Sequence, residues 1–232
     1  MGYIQDMGER EIKPENKTVI FGPAGQLEAM VSGLFQTGSV HNIGIMCHPH
    51  PLYQGSMHNK VVTTTIRAWQ QRAIATIRFN FRGVGESEGQ YDHGVGECLD
   101  LQAVIDYAKA HYPNAALWLG GFSFGAFISL KVATSGVSPA GLISLAPALR
   151  FFNFLTLTLP ECPWLVVQGT EDELVPKEEV TAWYDFLNKH KKTDLDWELL
   201  FIRESSHFFH GHLVELRAKI GVFMDRHLKL LD

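Results

Sequence analysis

The feature that most constrains this chain is a rhythm that sets in at Ile43. From there to the C-terminus, short β-rich runs alternate with stretches of helical spacing. Residues 43–47, 73–81, 116–120, 141–146, 164–169 and 197–202 read as strands. Residues 57–72, 95–111, 124–135, 177–190 and 211–230 read as helices. Strands separated by helices cannot close as hairpins, so they lie parallel, with the crossover helices covering both faces of the sheet. Upstream, residues 18–38 are apolar runs broken by glycines, which predicts antiparallel strands joined by turns. The expected class is therefore α/β: a mostly parallel central sheet with an antiparallel N-terminal hairpin region and helices on both faces. Residues 147–163 fit neither element and are too few for a cap domain, so one domain over residues 1–232 is expected.

Composition excludes several classes. At 232 residues and 46% hydrophobic, the chain can bury a core without disulfides or structural metal. A net charge of −5 with scattered signs advertises no surface for nucleic acid. No apolar run approaches bilayer length, so no membrane association is expected. Residues 1–10 carry Asp6 and Glu9 where a secretory signal would be apolar. Cys47, Cys98 and Cys162 are odd in number and irregularly spaced, which predicts reduced thiols and a cytoplasmic protein. No cofactor is expected, and homo-oligomer formation stays open.

Three stations along the chain carry chemistry. Gly121-Phe122-Ser123-Phe124-Gly125 is a G-x-S-x-G pattern with a strand running in and a helix running out. That context suits a nucleophile: a sharp turn lifts the serine hydroxyl clear of the sheet, and the flanking glycines remove Cβ atoms that would collide. The helix start also aims its positive end at developing negative charge. A serine needs a base to take its proton and a carboxylate to fix the base's tautomer. The 164–169 strand runs into Glu171-Asp172-Glu173, and the 197–202 strand runs into Ser205-Ser206-His207. Asp172 is the preferred acid because it stands three residues after Gly169 and four before Pro176, a spacing that resembles hydrolase acid loops, with Glu171 and Glu173 as solvated neighbours. His207 lies closest to its strand end and is preferred as base over His210 and His212.

The loop after the 43–47 strand reads His48-Pro49-His50-Pro51-Leu52. Acyl transfer on such a scaffold takes one backbone N–H from this loop and one from the residue after the nucleophile, here Phe124. Pro49 and Pro51 have no N–H to give. The His50 amide is the first candidate, with Leu52 behind it. Metal is not expected: the His48-x-His50 pair lacks the acidic and histidine residues that would continue a ligand set, and no carboxylate or cysteine completes one around His207, His210 and His212.

Taken together, His48-Pro-His-Pro-Leu-Tyr-Gln-Gly55, Asn59-Lys-Val-Val62, Arg78-Phe-Asn-Phe-Arg-Gly-Val-Gly-Glu-Ser87, Gly121-Phe-Ser-Phe-Gly125 and His207-Phe-Phe209 resemble the small bacterial α/β-superfamily hydrolases. These are similar to the dienelactone hydrolase and carboxylesterase group, with serine in place of cysteine. The resemblance runs from about Ile43 to the C-terminus and implies an α/β-hydrolase fold without a cap. It departs at Asn80, where the wider superfamily carries Asp in D-x-R-G-x-G-x-S; that position supports a loop and leaves the triad unaffected. The function expected is hydrolysis of a small or medium acyl ester or thioester through an acyl-enzyme. Amidase or peptidase activity on the same triad is an alternative, as is a non-catalytic binding protein on this fold. Phe122 and some of Phe151, Phe152, Phe154 and Leu155 are expected to line an open apolar pocket for the acyl group.

Overall fold

The computed structural model describes residues 14–33, 40–191 and 194–228. The N-terminal ten residues read for a signal, and part of the expected hairpin region at 34–39, lie outside them. Eight strands form one sheet: β1 (Asn16–Gly22), β2 (Gly25–Ser32), β3 (Asn42–Cys47), β4 (Ala75–Phe79), β5 (Ala116–Phe122), β6 (Gly141–Leu145), β7 (Trp164–Gly169) and β8 (Trp197–Ile202). Their spatial order is β1-β2-β4-β3-β5-β6-β7-β8. β1 and β2 make the antiparallel hairpin, β2 pairs antiparallel with β4, and every pairing from β4 through β8 is parallel.

The helices are α1 (Lys60–Gln70), α2 (Gly96–His111), α3 (Phe124–Ala133), α4 (Lys177–His190) and α5 (Leu213–His227). Alternating strand residues feed two cores. Leu117 and Leu119 of β5 and Trp164 and Val166 of β7 pack with α2, α3 and α4, while Trp118, Phe122, Leu165 and Val167 pack with α1 and α5. A strand buried on both faces is apolar along nearly all its length, which is why these runs carry no polar alternation.

Element ends depart from the expectations by a few residues, for local reasons. α1 begins at Lys60 rather than Met57 because the Asn59 side chain accepts the Val61 N–H at 2.8 Å, capping the helix there. α5 begins at Leu213 because Phe209 and Gly211 adopt positive φ, which no helix accommodates. β5 runs two residues past Gly120, to Phe122, directly before the nucleophile candidate.

The chain steps from β3 outward to β4 and then back across to β5, so the direction of winding reverses between neighbours β3 and β5. At such a point the loops beyond the two strand ends part and leave a crevice. Cys47 pairs with Gly121 across it, so the His48–Leu52 loop stands beside Ser123.

Candidate active site

Ser123 has φ 55 and ψ −110, a strained conformation for a residue with a Cβ. Three constraints hold it. Its N–H donates to Leu145 O of β6 at 2.9 Å. A Cβ on Gly121 would lie 2.0 Å from Gly125 O, and one on Gly125 would lie 2.5 Å from Cys47 O. The turn therefore closes only with glycine at both places, and α3 starts directly behind it.

The three stations converge. Ser123 Oγ lies 3.0 Å from His207 Nε2, and His207 Nδ1 lies 2.8 Å from Asp172 Oδ2. All three residues are buried. Asp172 Oδ1 accepts the N–H groups of Leu174 and Val175, both at 2.8 Å, and Oδ2 also accepts Gln168 Nε2 at 2.8 Å. Burial pushes the Asp172 carboxyl up, but the His207 hydrogen bond and charge, with the Val175 and Leu174 amides, outweigh it and hold the carboxyl below its ordinary value. An ionised Asp172 keeps the imidazole proton on Nδ1, so Nε2 offers its lone pair to the Ser123 hydroxyl. Glu173 does not reach the ring; its Oε2 accepts the His207 backbone N–H at 3.0 Å. His210 stacks on Phe208, and His212 faces Glu215 at 3.8 Å.

On the oxyanion side, the amides of Leu52, Tyr53 and Gly55 are committed to His50 itself: Leu52 N–H to its Nδ1 at 3.2 Å, the other two to its carbonyl at 3.1 Å. Leu52 is thereby committed, so that of the two expected donors only the His50 N–H makes no hydrogen bond among the described residues. Phe124 supplies the first N–H of α3, unpaired within the helix by helix geometry. His48 points away into the protein. Its Nε2 accepts the Phe81 N–H at 3.0 Å and its Nδ1 donates to Pro49 O at 2.6 Å, so it pins the β3 and β4 loops together. Burial pushes its pKa down to about 3, which keeps it neutral. Among the described residues no three His, Cys, Asp or Glu side chains gather as a metal site.

The expected pocket needs correction. Phe122 is fully buried, its ring 5.2 Å from that of His207 on the α5 side, so it backs the imidazole rather than lining an opening. Phe154 is buried against Phe127 and Trp183. Phe151 and Leu155 are 61% and 64% exposed and line an open groove of about 620 Å³ with Glu179, Trp183 and Phe186. Neither Ser123 nor His207 borders that groove. Phe152 is the shared wall: it lines the groove, and its ring lies 5.1 Å from Phe124 and 6.0 Å from His50.

Several positioning residues escape a reading of the sequence. Glu173 and His48 act through contacts between segments far apart in the chain, and Gln168, at the end of β7, folds the Asp172 loop back on itself through Asp172 and the Val175 carbonyl. One signal was available for the loop after β4: Arg82-Gly-Val-Gly-Glu-Ser87 is too specific for a simple turn. Arg82 meets the buried Asp100 through its backbone N–H and guanidinium, and Asn80 bridges the Met57 amide to Glu28.

A family model, Hydrolase_4, described as "Serine aminopeptidase, S33", matches residues 55–160. An alpha-beta serine hydrolase homologue from Coxiella burnetii is 45% identical, with a TM-score of 0.80 over 89% of this chain and 96% of that one. A Xanthomonas campestris protein described as an a/b serine hydrolase without lid is 38% identical, with a TM-score of 0.83 over 96% of this chain and 100% of that one. An uncharacterised protein of Rickettsia prowazekii (strain Madrid E) is 30% identical over 210 residues, 88% of this chain and 86% of its own length.

Proposed function

The chain belongs to the α/β serine hydrolases without a lid, and on that premise we propose that it cleaves small or medium acyl esters or thioesters through an acyl-enzyme on Ser123. The observation that carries this reading is the unbroken relay from Asp172 through His207 to Ser123, at 2.8 and 3.0 Å. As Oγ attacks the acyl carbonyl, His207 Nε2 takes its proton, and the carbonyl electron pair moves to oxygen. The His50 and Phe124 N–H groups receive that oxyanion. When the tetrahedral species collapses, the C–O or C–S bond to the leaving group breaks, and His207 returns the proton to it. Water then attacks the acyl-enzyme with the same base, and the acid departs. The acyl chain is taken to run against Phe124 and Phe152, toward Phe151 and Leu155.

The test is fluorophosphonate labelling with mass mapping, alongside p-nitrophenyl ester turnover. Ser123→Ala is expected to lose labelling and to lower kcat by a factor on the order of 10⁶ with folding retained. Near-normal turnover in that variant would overturn the assignment. The family description favours one further substrate class, aminoacyl amides, because an amine leaving group uses the same proton from His207. Aminoacyl p-nitroanilides run in parallel separate the two. A wild type that binds acyl ligands but is neither labelled nor active would favour a non-catalytic binding protein.

A further inference from the structure

Against His50 and Phe124 stands a polar group that the proposed mechanism does not use. Tyr91 lies on the loop between β4 and α2, half-buried, with its ring centroid 4.8 Å from His50 and 6.0 Å from Phe124. These are the two residues whose amides face the oxyanion in the reading above. Its Oη lies 3.1 Å from His50 Nε2, the one hydrogen bond it makes among the described residues.

The direction of that bond follows from the other side of the imidazole. Leu52 N–H donates to His50 Nδ1, so Nδ1 is the bare nitrogen. Burial, reinforced by the nearby His93, lowers the proton affinity of His50, and at neutral pH the ring carries one proton. That proton sits on Nε2 and is donated to Tyr91 Oη. The phenol oxygen is therefore an acceptor toward His50, and its own hydrogen has to be directed elsewhere. Because the ring is wedged between His50, Phe124 and the exposed His93, the phenol sits at the oxyanion side of the crevice with its donor unspent.

Resting on the reading of Ser123 as nucleophile, we propose that Tyr91 is a substrate-positioning and specificity-determining residue, whose hydroxyl donates to a neutral oxygen acceptor on the substrate beyond the scissile carbonyl. The preferred substrates are then esters carrying a keto, ether or hydroxyl oxygen rather than plain alkanoyl esters. Such a site rejects an isostere lacking the acceptor because its donor is left without a partner.

The test compares wild type with Tyr91→Phe, which keeps the ring packing, on two isosteric pairs. p-Nitrophenyl methoxyacetate and butyrate differ by one ether oxygen in the acyl part; 2-methoxyethyl and butyl butyrate differ by one in the alcohol part. In at least one pair, Tyr91→Phe is expected to lower kcat/KM for the oxygen-bearing ester about three- to tenfold more than for its isostere. Whichever pair responds assigns the side. The rate of fluorophosphonate labelling is expected to stay unchanged. An equal loss on all four esters would mean that the phenol only braces His50, and an unchanged kcat/KM on all four that it does nothing; either result overturns the proposal. A wild type that is neither labelled nor active on any ester would overturn the reading beneath it, and the proposal with it.

Discussion

At the scale of single residues, three histidines follow β8, and only one of them meets both a carboxylate and the Ser123 hydroxyl. His207 lies between Asp172 and Ser123, whereas His210 stacks on Phe208 and His212 faces Glu215. His207→Ala is therefore expected to cost about as much turnover as loss of the serine, and His210→Ala and His212→Ala less than about threefold, since an exposed partner contributes little. Asp172→Asn is expected to lower kcat on the order of 10⁴-fold, because an amide facing Nδ1 favours the wrong imidazole tautomer. Steady-state kinetics on one ester, with circular dichroism to exclude unfolding, decides both. Severe loss in His210→Ala would move the base.

At the scale of elements, the turn at Ser123 depends on how closely β5 and α3 approach the end of β3. Gly125 is where α3 passes the Cys47 and His48 carbonyls. A Cβ there would meet them at 2.5 and 2.7 Å, and both atoms belong to backbone that cannot swing aside. Gly125→Ala is expected to push α3 away from β3, costing about 1–3 kcal/mol of stability and most of the turnover. The contrasting control is Gly136→Ala: a Cβ there has nothing within 4 Å, although its positive φ still carries a modest strain. Urea denaturation of the two variants measures the difference. If Gly125→Ala is as stable and active as the parent, the close approach does not hold the turn. The Asp172 and His207 loops follow the same logic, since Glu171 N–H donates to Ser205 O and Glu173 accepts the His207 N–H, binding the two loops into one unit.

At the scale of the whole molecule, the histidine pin between the β3 and β4 loops links folding to pH. His48 has an ordinary value of 6.5 when the chain is unfolded and about 3 when folded. Its folded value is depressed, so below pH 6.5 the unfolded chain binds a proton that the native state refuses. Stability from this group is full above 6.5 and is lost as pH falls toward 3, at up to about 1.4 kcal/mol per pH unit. Between pH 6.5 and 5 the native state should lose about 2 kcal/mol that His48→Gln does not lose. Parallel acid limbs in the two proteins would refute this. The absence of a cap sets the second expectation at this scale. Each methylene buried against Phe152 and its neighbours should raise kcat/KM about fourfold until the wall ends. Across p-nitrophenyl esters of rising chain length the gain should then stop, because further methylenes stay in water. A steady rise through C12 would indicate a deep channel instead.

The division between what was legible in the chain and what was not follows the range of the interactions involved. Strand and helix identity, the sharp turn at Ser123, and the placement of Asp172 and His207 after later strands were readable, since each rests on local periodicity, turn chemistry or chain order. β7, α4 and β8 even keep their expected bounds, Trp164–Gly169, Lys177–His190 and Trp197–Ile202. The facing of a side chain was not readable. Phe122 and Phe124 are two residues apart beside one nucleophile, yet Phe122 packs into the core with α5 and Phe124 into the core with α2 and α3. Only the twist and order of the sheet decide which of them meets the crevice. The turning of His48 inward to Phe81 and the meeting of Tyr91 with His50 both join the loop after β3 to the loop after β4. Their partners are chosen by distance in space, and that distance exists only once the sheet has formed.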